Sequence, residues 1–282
     1  QTLGFRVCSI LLGGGGRVFS GKFLGLKWDI RSLPLGGATI LAGPPAPGYR
    51  FKYFLVYLAG PASHALLALL FGAALVPLLF LAAPRVLVTF CLICIFINLL
   101  SLLANLWPRK VPGTYGAGGT DGWHLLRVFF WKPDELQKRH SLYYALEALE
   151  ANEERRSLQA REWVRRGLAL YPDDELLLNV SGVVHTFLNE YARAREIFAG
   201  LLERPKISIG SKYLFLNNVA YADILLDDPA LLPEADRYSA EAHKNIPWDP
   251  AIQGTRGSVL GLLGRPAEGL PLLRAAFGKH TN

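Results

Sequence analysis

Uncharged, mostly apolar positions run from Ala65 to Ala83 and again from Val86 to Ala104, with only Pro84 and Arg85 between them. A bilayer crossing takes roughly 20 residues, so the pattern predicts two transmembrane helices joined as a hairpin. Pro77 should kink the first. Upstream, Leu26, Trp28 and Ile30 alternate with Lys27, Asp29 and Arg31, the period of a half-buried strand. Pro34-Leu35-Gly36-Gly37 should break that strand, and Ala38 to Leu41 should form a second. The edge of such a small sheet could accept an extended peptide by strand addition, or the segment is an ordinary hairpin beside a membrane domain. Gly43 to Gly48 reads as a Pro-rich linker, and Tyr49-Arg50-Phe51-Lys52-Tyr53 suits a headgroup interface.

From about residue 136 the pattern changes to charged, Ala/Leu/Glu-rich sequence at helical spacing. Gly182, Tyr191, Ala194, Phe198 and Leu201 occupy positions expected of one tetratricopeptide-type helical hairpin. Ala160, Gly167, Leu168 and Pro172 fit the end of a preceding unit. Ala220, Ala235, Ala242 and Pro247 fit a following one, and Gly257, Leu273 and Ala276 a fourth. The spacing exceeds the standard ~34 residues, which places insertions near Asp227 to Pro233. Stacked hairpins of this kind bury a continuous core and leave a concave face that suits a protein or peptide partner.

Composition sharpens the division. The apolar fraction is 51% and mean hydropathy is +0.24, high for a wholly soluble chain. Fourteen Lys and Arg stand against four Asp and Glu through residue 140, but sixteen against nineteen thereafter. The basic half is the apolar half, as expected of cationic flanks around membrane spans, and the acidic half argues against nucleic acid. Positive flanks on both sides of the hairpin put them, and the repeats, in the cytoplasm. A buried pair of core helices is the alternative.

Three cysteines cannot build a disulfide framework, and Cys91-Leu-Ile-Cys94 inside an apolar run reads as core packing. Gly16-Arg-Val-Phe-Ser-Gly21-Lys22 approaches a phosphate-binding loop but has Phe23 where Ser or Thr would hold magnesium. With no methionine, and Gln1-Thr2-Leu3-Gly4 at its start, the chain is expected to have lost upstream sequence.

The chemistry concentrates between Asn105 and His124. Trp107 to Thr120 holds Pro108, Pro112 and a run of glycines and cannot be one helix. Thr120 or Asp121 can then cap a helix through Trp123, Leu125, Leu126, Val128 and Phe129. Asp121 serves as a cap or an Asp-Gly turn, or, beside membrane spans, as a functional carboxylate.

Pro34-Leu35-Gly36-Gly37, Ala59-Gly60-Pro61 opening a span, then Asn105 and Pro108 leading to Asp121-Gly122, follow an order that resembles site-2 proteases, a family of intramembrane zinc metallopeptidases. The resemblance covers residues 1 to about 130. It implies that Asp121 is a ligand of Zn2+, with Asn105, Pro108 and Gly122 shaping the segment that carries it. It also implies that Pro34, Leu35, Gly36 and Gly37 border a substrate-strand edge. The family's His-Glu-x-x-His, which supplies two ligands and the general base, is absent: His64, His124, His140, His185, His243 and His280 are never so paired. That motif is expected upstream of Gln1, and the chain as given should be inactive. His64 departs from the family, which often has Asn there, and the interval from Asn105 to Asp121 is long.

The expectation is a mainly α protein. A polytopic membrane domain with a small β-hairpin insertion spans residues 1–135, with strands about 26–41, and a tetratricopeptide-like solenoid spans 136–282. The parent would be a zinc endopeptidase of the cytoplasmic membrane of a prokaryote, acting on membrane protein substrates. The alternative is an inactive, membrane-anchored scaffold that uses its repeats for protein–protein interaction. A transporter half is weaker, because no membrane unit repeats.

Overall fold

A computed structural model describes residues 4–81, 83–113 and 116–278. It is mainly helical with small sheets, and it divides into two compact units: residues 4–44 with 137–278, and residues 45–136.

In the first unit, β1 (Arg6–Phe23) and β2 (Leu26–Ala42) form an antiparallel hairpin closed by Leu24 and Gly25, both at positive φ. Two successive positive φ values match the twist of a tight two-residue hairpin turn. Residues 17–23 pair with 31–26, and residues 6–12 with 42–37. Residues 9–12 also meet 27–30 at constant offset, Ser9 with Lys27 through Leu12 with Ile30. The hairpin is therefore folded across its own middle, and its two halves lie side by side. The fold-over needs Gly13 and Gly15, at φ +87° and +79°; a Cβ on Gly13 would fall 2.3 Å from the Leu33 carbonyl oxygen.

Pro34 to Gly37 does not end the strand as expected. β2 runs on through it, and among the described residues positions 34–36 have no register partner, which is where a residue lacking an N–H is tolerated. The expected alternation is also imperfect, because Ile30 is exposed while Asp29 is drawn toward Arg17 (3.5 Å) and Arg31 (3.8 Å). The glycines of the incomplete phosphate-loop match lie in strand β1 and its bend, not in a loop leading into a helix.

In the second unit, α1 (Tyr49–Phe80) and α2 (Arg85–Leu106) are both long and apolar enough to cross a membrane. Helix α1 begins well before Ala65 and carries both Pro61 and Pro77 inside it. Tyr49 and Tyr53 are buried, not spread along a surface. Beyond α2 come β3 (Lys110–Gly113), β4 (Gly116–Gly119) and α3 (Asp121–Arg127), followed by a 3-10 turn, Val128–Phe130. Helix α4 (Pro133–Glu153) then begins in this unit and runs for most of its length in the first.

The helices after α4 are α5 (Ser157–Leu170), α6 (Glu175–Phe187), α7 (Tyr191–Leu202) and α8 (Ile209–Leu226), then α9 (Leu232–Asn245), α10 (Pro250–Leu262) and α11 (Pro266–Gly278). Successive helices pack as antiparallel neighbours, and small residues set their approach: Ala148, Ala160, Ala194, Ala220, Ala235 and Ala242 are wholly buried. A Cβ on Gly182 would strike the Phe198 ring at 2.4 Å, and one on Gly257 would strike Leu273 at 2.8 Å. The extra residues expected between Asp227 and Pro233 form a left-handed cap at Asp227 and a 3-10 turn, Pro229–Leu231.

Acidic positions on α4 also hold the folded hairpin. Arg6 pairs with Glu147 at 2.7 Å and with Glu150, and Lys22 reaches Glu150 at 3.2 Å and Glu154 at 3.6 Å. Two of the cations expected as membrane flanks are thus engaged by the acids of the repeat sequence.

Candidate functional site

The segment between α2 and α3 is closed on itself by Thr120. Its hydroxyl donates to the Trp107 carbonyl at 2.7 Å and accepts from the Arg109 N–H at 3.2 Å and the Trp123 N–H at 3.4 Å. The Thr120 N–H returns to the Arg109 carbonyl at 3.0 Å, and β3 pairs with β4 above that bond. Thr120 is therefore the N-cap, and Asp121 is the first helical residue, where a carboxylate is favoured by the helix dipole.

Gly122 explains why α3 reaches α2. A Cβ there would lie 1.9 Å from the Leu106 carbonyl oxygen, so only glycine permits this backbone contact. On its other side α3 packs on α1, and Asp121 Oδ2 would be 2.7 Å from a Cβ on Gly60. Gly60 thus makes room for the carboxylate, and Gly122 for the Leu106 carbonyl. No residue among those described donates a hydrogen bond to it. Burial raises the Asp121 pKa above the ordinary carboxylate range, and the nearby His64 pulls in the opposite direction.

The aromatic face of α1 fixes the helix that carries Asp121. Tyr57 stacks on His124, with centroids 4.5 Å apart, Tyr53 meets Trp131 edge-on at 5.2 Å, and Phe54 contacts Phe129 at 5.4 Å. Arg50 donates to the Phe129 and Trp131 carbonyls, both at 2.8 Å, closing the 3-10 turn. His124 therefore faces the Tyr57 ring. One turn above Gly60, His64 Nδ1 lies 3.0 Å from Asn98 Oδ1, and Asn98 Nδ2 donates to the Cys94 carbonyl at 2.8 Å.

Asn105 is not part of the irregular segment: it lies in the last turn of α2, and unwinding starts at Trp107, with Pro108 just beyond. Gly37 pairs with Leu12 in the sheet, and the side chains of Pro34, Leu35 and Gly36 lie outside the described residues. Sequence reasoning missed His64 and Asn98 as a pair. Their signal was one imidazole and one amide in otherwise apolar runs.

Among the described residues no three His, Cys, Asp or Glu side chains converge as a metal-binding group. Asp121 is a single candidate donor among them, within electrostatic reach of His64.

No family model matches the chain, and no curated protein matches it. Among solved structures, MamA MSR-1 C2 is similar at 15% identity and a TM-score of 0.36, covering 56% of this chain and 84% of that one. A MamA AMB-1 structure gives 16% identity and a TM-score of 0.35, covering 55% and 81%.

Proposed function

We propose that this chain is the part of an intramembrane zinc endopeptidase that carries one metal ligand, Asp121, beside two membrane spans and a helical-repeat domain for a cytoplasmic partner. The observation that supports the reading is the Asp121 carboxylate, seated against Gly60 beside two apolar helices, on a helix that Gly122 lets approach the Leu106 carbonyl. A half-buried carboxylate beside membrane spans is a candidate for a functional role. The basic flanks support a cytoplasmic position for the repeats, and the reading takes the membrane to be that of a prokaryote.

One carboxylate does not hold zinc, and on this reading the remaining donors come from the His-Glu-x-x-His that the resemblance implies. When bound, zinc supplies a Lewis acid and a water whose pKa falls to about 7. The residues of this chain position that centre. Thr120 fixes the start of α3, Gly122 sets its distance from α2, and Tyr57 holds the adjacent His124 in place. Residues 37–42 pair on one side only among the described residues, which leaves a backbone edge for an extended substrate.

The absence of a three-donor group among the described residues favours a second reading, an inactive scaffold anchored by α1 and α2 that works through its repeats. The two separate on metal content. In a polypeptide that carries that motif, wild type should hold one zinc per chain by elemental analysis and cleave a membrane protein substrate. Asp121→Asn should lose both while still inserting into membranes. Undiminished zinc in that variant would remove Asp121 from the ligand set.

A further inference from the structure

The cations that flank the membrane hairpin in sequence differ in what they meet in the folded chain. Several are engaged: Arg6 and Lys22 by the acids of α4, Arg17 and Arg31 by Asp29, Arg50 by two backbone carbonyls, and Arg127 by Glu135 at 3.5 Å. Arg109 and Lys110 meet no acid among the described residues, and both are exposed immediately beyond α2.

These two cations are presented on a fixed backbone. Thr120 ties down the Trp107 carbonyl and both the N–H and the carbonyl of Arg109, so the chain is held on either side of Pro108. Lys110 Nζ lies 5.5 Å from the centre of the Trp123 ring, a position that the ring face favours for a cation. Around them large apolar side chains are turned outward: Trp107 is 71% exposed, Phe130 79% and Leu126 63%. Trp123, Leu126, Arg127 and Phe130 follow the i, i+3, i+4, i+7 spacing of one helical face, continued from α3 into the 3-10 turn. An apolar surface rimmed by cations, at the end of a membrane span, matches the headgroup interface, where indole rings and basic side chains concentrate.

We infer that Trp107, Arg109 and Lys110, with the exposed face of α3, form a binding site for the headgroup of an anionic phospholipid. The two cations take the phosphate-bearing headgroup, while Trp107, Leu126 and Phe130 cover the apolar part of the lipid. Charge selects the lipid, because a phosphatidylcholine headgroup carries its own cation and offers less to a pair of positive side chains. The inference rests on the membrane placement of α1 and α2 and not on zinc.

The test is native mass spectrometry of the whole chain in a neutral detergent, offered equal amounts of dioleoyl-phosphatidylglycerol and dioleoyl-phosphatidylcholine. Each cation near the membrane surface contributes about fivefold in affinity, so wild type should retain the anionic lipid at least about fivefold in preference. Arg109→Gln combined with Lys110→Gln should bring the two lipids close to parity. Arg85→Gln removes an exposed cation at the far turn of the hairpin and should leave the preference unchanged. Trp107→Ala should weaken retention of both lipids about threefold. Equal retention of the two lipids by wild type, a preference that the double variant keeps, or one that Arg85→Gln abolishes as fully would each overturn the proposal. Displacement of the lipid by equimolar inorganic phosphate would overturn it in favour of a free anion, and a dimer that Trp107→Ala dissolves would overturn it in favour of a second copy on the apolar face. A chain that stays soluble without detergent would remove the membrane placement itself, whereas absence of the lipid preference alone would leave that placement, and the zinc reading, standing.

Discussion

The helices of the two units share one period but treat their apolar side chains oppositely. In α1 and α2 the leucines and phenylalanines face outward: Leu69 is 71% exposed and Phe96 67%. In the repeats Leu177, Val180 and Val184 are almost wholly enclosed, and alanines fill the narrow contacts. A soluble helix pays a large hydration penalty for the first arrangement, whereas in lipid a leucine is as well solvated outside as inside. The contrast predicts the largest effect. Leu177→Ala should cost about 3 kcal/mol by chemical denaturation, as expected for a core truncation, while Leu69→Ala should cost less than about 0.5 kcal/mol in detergent. Comparable losses at the two positions would place α1 in a protein core.

Close approach is also achieved differently in the two units. Gly122 abuts a backbone carbonyl, which cannot turn aside, whereas Gly182 abuts the ring of Phe198, which can shift. Gly122→Ala should therefore destabilise by about 2–3 kcal/mol and Gly182→Ala by about 1 kcal/mol, within the range of overpacking costs. Thermal unfolding of each variant would measure the difference, and a reversed order would refute the reasoning from partner rigidity.

These contrasts also explain what could be read from the residues. The helical array was legible because Gly182, Ala220 and Gly257 recur at contacts where only small residues fit, and the same spacing located the insertion at Asp227 to Pro233. Thr120 and Gly122 marked the start of α3 through capping and turn chemistry. The beginning of α1 was misplaced because Gly60-Pro61 resembles a helix opening. Aromatic packing on Tyr53 and Tyr57 instead carries the helix through the proline. Pro34 likewise suggested a break, but among the described residues its register position has no partner, where a missing N–H costs little. The juxtaposition of His64 with Asn98 was not legible, since it depends on the rotation of two helices that are apolar on every side.

The smallest expected effect concerns pH and should appear in the repeats. Burial lowers the pKa of His140, whose Nδ1 lies 2.6 Å from the Tyr171 hydroxyl; burial and the neighbouring Arg256 lower that of His243. In the unfolded chain both titrate near the ordinary value of about 6.5. As pH falls through that value the unfolded chain takes up protons that the folded array refuses, so stability declines until the lower folded values are passed. The urea midpoint of the helical array should therefore be lower at about pH 5.5 than at about pH 7. His140→Gln keeps a hydrogen-bonding side chain beside Tyr171 but does not titrate, so it should narrow that gap. If the gap is unchanged in His140→Gln and also in His243→Gln, burial of these imidazoles is not what couples the array to protons.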